Sequence, residues 1–430
     1  MVKKIGIVGA GTAGLHLGLQ LLEHGVDVTM FTERRPDDYA DMRLLNTVAH
    51  HAVTIDRENA LGVNRWADED CSYGGHYYYF GTHPKPLRFY GDLHAPSRAV
   101  DYRIYHPALM EDFMNRGGRI EFRQVHGDEV SALSARFDLI VVSTGKGPFG
   151  QMFAHQPEHS AFTRPQRALC VGIFKGIAQR PKRGVTMYFS PGAGEMIEIP
   201  ITTFNGLQTA LVMENIAGGE LEVLAKAKYS EDRRAFLDLL LDKLRKHYPD
   251  CAERVDERRF DLANGPLDIL QGGVTPTVRK SFAPLDSGKI AVALGDVHAV
   301  VDPLLGQGGN IASYSAAVLA DEIVAQDVYD ERFVERLDLR RQDRVLGAMR
   351  WTNYMLEHLA HGSTTLQRFI GLVSEHRVLA DAFTDNFNYP ERQWDCFATV
   401  ERIRAWCAGH VGSEAASVMD MRTTTMEDAA

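Results

Sequence analysis

Three glycines near the start of the chain, Gly9, Gly11 and Gly14, have the spacing that cradles a phosphate. They lie in the string GAGTAG, which begins where an apolar run from Ile5 to Val8 ends. A helical leucine pattern (Leu15, Leu17, Leu19, Leu21, Leu22) follows at once. Strand, glycine turn and helix in that order gather backbone N–H groups and the positive end of a helix dipole at one point, with Thr12 and Ala13 in the turn. Gly9 permits the tight turn, Gly11 lets the backbone approach a pyrophosphate, and Gly14 lets the helix sit close on the strand. A second strand-like run, Val26 to Phe31, comes next. In this setting the string reads as a dinucleotide site rather than a plain turn.

A second segment, KIAVALGDVHAVVDPLLGQGGNIAS from Lys289 to Ser313, has related chemistry. A strand ends at Gly295-Asp296, and a Pro/Gly loop leads into a helix starting near Gly308. Asp296 can accept a ribitol or ribose hydroxyl there, or serve as a turn residue. The N–H groups from Gly306 to Asn310 can face an electron-rich ring edge. Two other sites have two readings each. Glu33 stands one residue past the slot that usually holds the adenosine ribose, and is a ribose ligand or a solvated charge beside Arg34 and Arg35. Arg43 is a pyrophosphate ligand or a surface arginine. Arg98 or Arg103 can face phosphate from a charged helix expected at about 98–116.

Length and composition bound the possibilities. A chain of 430 residues should hold two or three packing units. Its net charge of −10 argues against nucleic acid, because phosphate binding needs a basic surface. No apolar run approaches bilayer length, and the N-terminus reads as strand and turn rather than signal peptide. The five cysteines are scattered without a CxxC pair, as expected for reduced thiols in the cytosol. No metal site is expected from the histidines, and the adjacent His50 and His51 would point apart.

The elements that must position these residues follow from patterning. Arg119 to Val125 and Phe137 to Gly145 read as strands, the second buried and parallel. The aromatic stretch 71–90 reads as a sheet edge or pocket wall. Four strand-like runs between Ala168 and Met213 predict an antiparallel sheet. One helix is expected from Leu221 to His247, and helices beyond residue 315, with 340–344 a solvated face and the tail from about Gly412 frayed.

Together, GAGTAG at 9–14 and GDVHAVVDPLLGQGGN at 295–310 resemble the two FAD fingerprints of the aromatic-hydroxylase type of flavoprotein monooxygenase. RLLNTVAH at 43–50, FYGDLHAPSRAVDYR at 89–103, LDILQGGV at 267–274 and DNFNYPERQWD at 385–395 look like the styrene monooxygenases, the epoxidase component of a two-component system. The likeness runs nearly end to end. It implies an α/β fold with a Rossmann-like FAD-binding domain, an antiparallel-sheet substrate domain and a helical C-terminal part. The FAD domain is expected in two pieces, 1–165 (with 60–97 on the substrate side) and 285–330. The substrate domain would span 166–284 and the C-terminal helices 331–430.

The resemblance also implies the chemistry. Reduced FAD and dioxygen would form a flavin hydroperoxide that epoxidises styrene and related vinyl aromatics. Asn46, Val48, His50, Tyr73, His76 and Ser97 match the styrene branch rather than the indole branch and are the expected reaction-site residues. Cofactor contacts are expected from the first turn and Glu33, from Arg43, Leu45, Asn46 and Arg98, and from Asp296, Pro303, Gly306, Gly308 and Asn310. The stretch 143–147 lacks the Asp-Gly motif of single-component hydroxylases, and no second GxGxxG is present for a nicotinamide. An NADH-dependent flavin reductase is therefore the expected partner, with no nucleic acid or membrane partner and a homodimer as the expected assembly. Indole oxygenation is the nearest alternative. A flavin-dependent halogenase lacks support because Trp66, Trp351, Trp394 and Trp406 form no WxWxIP motif. A non-catalytic flavin carrier completes the set.

Overall fold

Glycine turns can hold a ligand only if the strands behind them are fixed, and two sheets do this. The computed structural model describes residues 2–66, 71–81, 86–145 and 147–420. Residues 82–85 of the aromatic stretch, Lys146 of the 143–147 stretch and 421–430 of the tail lie outside the described residues. In chain order the strands are β1 (Lys4–Val8), β2 (Asp27–Thr32), β3 (Ala49–His50), β4 (Ser72–Phe80), β5 (Leu87–Val100), β6 (Arg119–Phe122), β7 (Leu139–Val142) and β8 (Arg167–Lys175). They continue with β9 (Val185–Ser190), β10 (Gly194–Thr203), β11 (Gly206–Ile216), β12 (Asp261–Leu262), β13 (Ile269–Gly272), β14 (Thr277–Val278), β15 (Phe282–Pro284), β16 (Ile290–Ala293) and β17 (Ala299–Val300).

A six-stranded sheet has the order β15-β16-β7-β1-β2-β6, parallel except for β15. Its central strands are apolar on both faces because both faces are covered. Helices α1 (Thr12–Glu23) and α2 (Tyr102–Asn115) and the helix Gly308–Ala325 bury one face, and Phe31, Phe137, Phe149 and Phe153 pack on the other. From β1 the chain builds outward through β2 and β6, then returns to β7 and β16 on the opposite side. Such a reversal leaves a crevice at the carboxyl ends of the two central strands, and Gly9 lies at its lip.

The larger sheet runs β12-β8-β11-β10-β9-β4-β5-β3, with β13 also on β8. Strand alternation gives it two apolar faces. Cys170, Tyr188, Leu211 and Met213 pack under the helix Arg233–His247. Val171, Met187, Ile197 and Val212 face the opposite way, toward the C-terminal helices. The five cysteines are free thiols. Among the described residues no helix is long and apolar enough to cross a membrane.

Several boundaries differ from the sequence reading. The helix expected from Arg98 begins at Tyr102, because residues 98–100 extend β5 and Asp101 caps the helix by accepting from the Arg103 N–H at 2.9 Å. The single helix expected over 221–247 is broken, and Asp232 caps a new start at Arg233. The 340–344 face is not wholly solvated. Arg341 is fully buried and donates to the Ala293 carbonyl and to Asp338. A division at 284/285 cuts the β15–β16 hairpin, since Phe282–Pro284 already belongs to the parallel sheet. The tail remains helical from Ser413 to Asp420.

C-terminal helices close over β4 and β5. The helix Arg377–Asp385 meets β5 where Gly91 leaves room, and the N–H groups of Asp92 and His94 donate to Asp381 (2.7 Å) and Asp385 (3.0 Å). A Cβ on Gly91 would overlap the Thr384 hydroxyl and the Ala380 backbone carbonyl. Gly91→Ala should therefore destabilise the protein by about 1–3 kcal/mol, the usual cost of overpacking, read as a lower midpoint in urea.

Candidate active site

Between the two sheets lies one cavity of about 750 Å³, within the range of cofactor and substrate sites. Its polar end is lined by Gly9, Gly11, Thr12, Ala13, Glu33 and Asp296. Leu45, Asn46, Val48, Pro303, Gly306 and Gly308 line the middle. The far end is an apolar chamber with Val171, Met187, Ile197, Ile199 and Val212 from the large sheet.

Two features of the backbone fit an extended anionic cofactor with a flat ring. Gly9 has φ of +112°, and a Cβ there would meet the Ser143 carbonyl at 2.7 Å, so only glycine brings β1 and β7 this close. A Cβ on Gly11, Gly306 or Gly308 would instead project into open space. Neither α1 nor the helix Gly308–Ala325 has a side-chain cap, so their first-turn N–H groups are left for a ligand.

Gly14, Arg43, Arg98, His50, Ser97 and Asn310 do not line this cavity. A Cβ on Gly14 would overlap the Gly9 carbonyl and the Ser143 hydroxyl, so Gly14 sets the fit of helix on strand. Arg43 is exposed and away from the cavity lining. Arg98 is buried in an ion pair with Glu58 and a bond to Asn64. Arg103 is spent on Asp101 and Asp268, at 2.6 and 2.5 Å. Neither buried guanidinium lines the cavity. Tyr73 and His76 line the chamber, whereas His50 and Ser97 stand behind its wall. The His50 ring bonds Glu58 at 2.6 Å and the Tyr102 hydroxyl at 2.9 Å, and Ser97 bonds the His51 ring at 3.4 Å.

Asn310 is a clamp rather than a lining residue. Its Oδ1 accepts from the His51 N–H (3.0 Å) and the Thr54 hydroxyl (2.8 Å). Its Nδ2 donates to the carbonyls of Ala49 and Gly306, each at 2.9 Å. One side chain thus ties residues 49–54 to the second glycine turn.

Residues that sequence reasoning missed also face the cavity. His51, Tyr102 and His106 line it, and so do Arg34, Arg123 and, from the C-terminal helices, Phe387. The Thr12 hydroxyl bonds His106 at 3.1 Å. Tyr102 and Phe387 lie inside the 89–103 and 385–395 strings and His51 directly follows the 43–50 string, whereas Arg34, His106 and Arg123 lie in none of these strings. Burial depresses the imidazoles around the site, His16 to about 4 and His51 and His106 to about 3, and lowers His76 as well. All four are neutral at pH 7. Glu58 is the contrasting charge. Burial pushes its carboxyl up, but His50 and Arg98 outweigh burial and hold it at about 2.

Residues 145–254 match a family profile described as "Styrene monooxygenase A putative substrate binding domain". Two proteins named styrene monooxygenase StyA, from Pseudomonas fluorescens and a Pseudomonas species, are each 59% identical over 95% of this chain and 98% of their own. Among solved structures, PqsL of Pseudomonas aeruginosa, titled a probable FAD-dependent monooxygenase, superposes with a TM-score of 0.60 at 15% identity, covering 84% of this chain and 97% of its own. A 2-methyl-3-hydroxypyridine-5-carboxylic acid oxygenase gives 0.62 at 14% identity, covering 92% and 100%. The flavin-dependent brominase Bmp2 gives 0.57 at 14%, covering 98% of each chain. These structural likenesses establish the α/β fold of the aromatic-hydroxylase type with its helical C-terminal part. They do not separate oxygenation from halogenation.

Two outcomes test the packing around the cavity. Asn310→Ala leaves two buried donors and two buried acceptors with lost partners, and should cost at least about 2 kcal/mol in urea denaturation. Glu58 has a depressed carboxyl, so its contribution is present above the ordinary value of 4.5 and is lost as pH falls toward 2. Glu58→Gln should flatten the dependence of unfolding free energy on pH across that window.

Proposed function

The chain belongs to the styrene monooxygenase family, and from that membership we propose that it is the oxygenase of a two-component system. It takes reduced FAD from a separate NADH-dependent reductase and uses dioxygen to epoxidise styrene and related vinyl aromatics. The observation that carries this reading is the single cavity joining two uncapped helix starts to an apolar chamber.

In this reading the parallel-sheet unit, from 1–165 (with 60–97 on the substrate side) and from 282–330, holds the cofactor, and the large sheet, mostly from 166–281, holds the substrate. Gly9, Gly11, Thr12 and Ala13 hold the pyrophosphate with backbone N–H groups. Glu33 takes the adenosine ribose and Asp296 the ribitol. Leu45, Asn46 and Pro303 through Gly308 bound the ring. Bound reduced FAD supplies the electrons that activate dioxygen.

The remaining work belongs to the chain itself. Val48, Tyr73, His76 and Phe387 shape the substrate end, and the aliphatic sheet face keeps it dry, because water there would divert the bound oxidant to hydrogen peroxide. Neutral His51 and His76 have a further consequence. An epoxide opens readily under acid, and a chamber whose imidazoles stay unprotonated offers its product no strong acid. His50 and Ser97 act through the residues they hold, Tyr102 and His51.

The test is direct. Protein is mixed anaerobically with chemically reduced FAD, then given oxygen and styrene with no reductase or NADH present. Styrene oxide should form, faster than oxygenated product forms from indole under the same conditions. NADH added to protein and oxidised FAD should leave the flavin yellow. An absolute need for NADH, or rapid bleaching by it, overturns the two-component assignment, and faster turnover of indole reassigns the substrate.

A further inference from the structure

The sheet that floors the apolar chamber ends in charge. Leu169 and Val171 on β8, Ile197 and Ile199 on β10, and Val212 on β11 line the cavity. Strand alternation puts Arg167, Glu195 and Glu214 on the same face, one step beyond. All three are buried, and Glu195 and Glu214 are direct partners across the β10–β11 ladder. Glu195 is satisfied by Arg167, which donates to it at 2.7 and 2.9 Å and to the Leu356 carbonyl at 3.1 Å.

Glu214 is different. Among the described residues neither of its oxygens receives an N–H or O–H. The group its carboxyl meets within hydrogen-bond reach is the carboxyl of Asp302. Two carboxylates are both acceptors, so this contact is attractive only with a proton between them. The surroundings keep that proton in place. Burial, then the charge of Asp302, push the Glu214 carboxyl well up, Glu195 adds to the push, and Arg167 offsets only part of it. Tyr248, beyond Glu195, is neutral, since burial raises its hydroxyl far above its ordinary value. Asp302 in turn caps the turn Pro303–Leu305 by accepting from the Leu304 N–H at 3.2 Å, and that turn lines the middle of the cavity.

We propose that Glu214 is a positioning residue that, through a proton shared with Asp302, fastens the 303–306 turn to the sheet forming the substrate chamber. The inference rests on the reading above that this turn faces the flavin. Folding takes up this proton at neutral pH, because the same carboxyl is ionised in the unfolded chain. The folded state then binds more protons than the unfolded one, so this contribution to stability declines as pH rises above the ordinary glutamate value. When the proton is lost, two buried anions repel and the turn loosens.

Two variants test this, Glu214→Gln, whose amide can still donate to Asp302, and Glu214→Leu, which cannot. Melting temperature of the cofactor-free protein is followed from pH 6 to 9, and oxidised FAD binding is titrated by flavin fluorescence at pH 7. The wild type should lose stability toward pH 9, and Glu214→Gln should show a flatter slope while binding FAD within about threefold of wild type. Glu214→Leu should bind FAD about tenfold more weakly, the loss of one buried charge-assisted bond. A Glu214→Gln slope equal to wild type, or Glu214→Leu binding equal to wild type, overturns the proposal. If Glu214→Leu does not fold, the Glu214→Gln slope alone decides. Wild-type protein that binds no FAD sinks the cofactor reading while the pH slopes still judge the carboxyl pair.

Discussion

The site depends on one constraint: segments distant in sequence must be held side by side without leaving buried backbone groups unpaired. Asn310 meets it with four hydrogen bonds, two accepted and two donated, that join residues 49–54 to Gly306. A carboxylate in its place could not donate to the two carbonyls, and an aliphatic chain would leave every one of these groups unpaired. The amide is the side chain that satisfies both polarities. Because β3 is only two residues long, the ladder it forms with β5 could not position the Asn46–Val48 segment unaided. The clamp does what sheet pairing there is too short to do.

Around this clamp the protein separates polarity by depth. The cavity surface toward the large sheet is aliphatic, and the imidazoles nearest it are neutral by burial. Charge is kept one layer behind. Glu58 accepts from His50 at 2.6 Å, from the Tyr105 hydroxyl at 2.7 Å and from Arg98. Tyr105 and Tyr102 carry that network to His16 and to the wall of the cavity. The wall is therefore stiffened by strong hydrogen bonds whose charges do not reach the chamber. In such an interior each of these bonds is stronger than it would be in water, and each broken one costs correspondingly more.

How far this was legible in the sequence depends on whether a residue's role is local. Gly9, Gly11 and Gly14 act on the backbone within six residues, so strand–turn–helix patterning was enough to place them. Gly306 and Gly308 were legible for the same reason. The arginines were not. A guanidinium suits a phosphate and a buried carboxylate equally well, and the choice for Arg98 and Arg103 was made by Glu58 and Asp268, which only folding brings near. Arg341 inside a run of charges is the same problem, since its partner is the Ala293 carbonyl at the end of β16. Phe387 reaches the cavity because the helix before it packs on β5, a contact between residues nearly three hundred positions apart.

Glu58 and Glu214 show what the surroundings of a buried carboxyl decide. Both are fully buried, so desolvation raises both. Glu58 faces a guanidinium and an imidazole and is held ionised, whereas Glu214 faces a second acid and is held neutral. Desolvation alone therefore predicts neither state; the neighbour's sign does. The difference also sets how each can act on the cavity. An ionised Glu58 can only accept, and so it gathers donors from β3, β5 and α2 into one rigid wall. A neutral carboxyl has a proton to give, which is what an acid on a facing loop needs in order to be held. The wall behind the Asn46–Val48 segment is thus built on charge, and the wall behind the 303–306 turn on a proton.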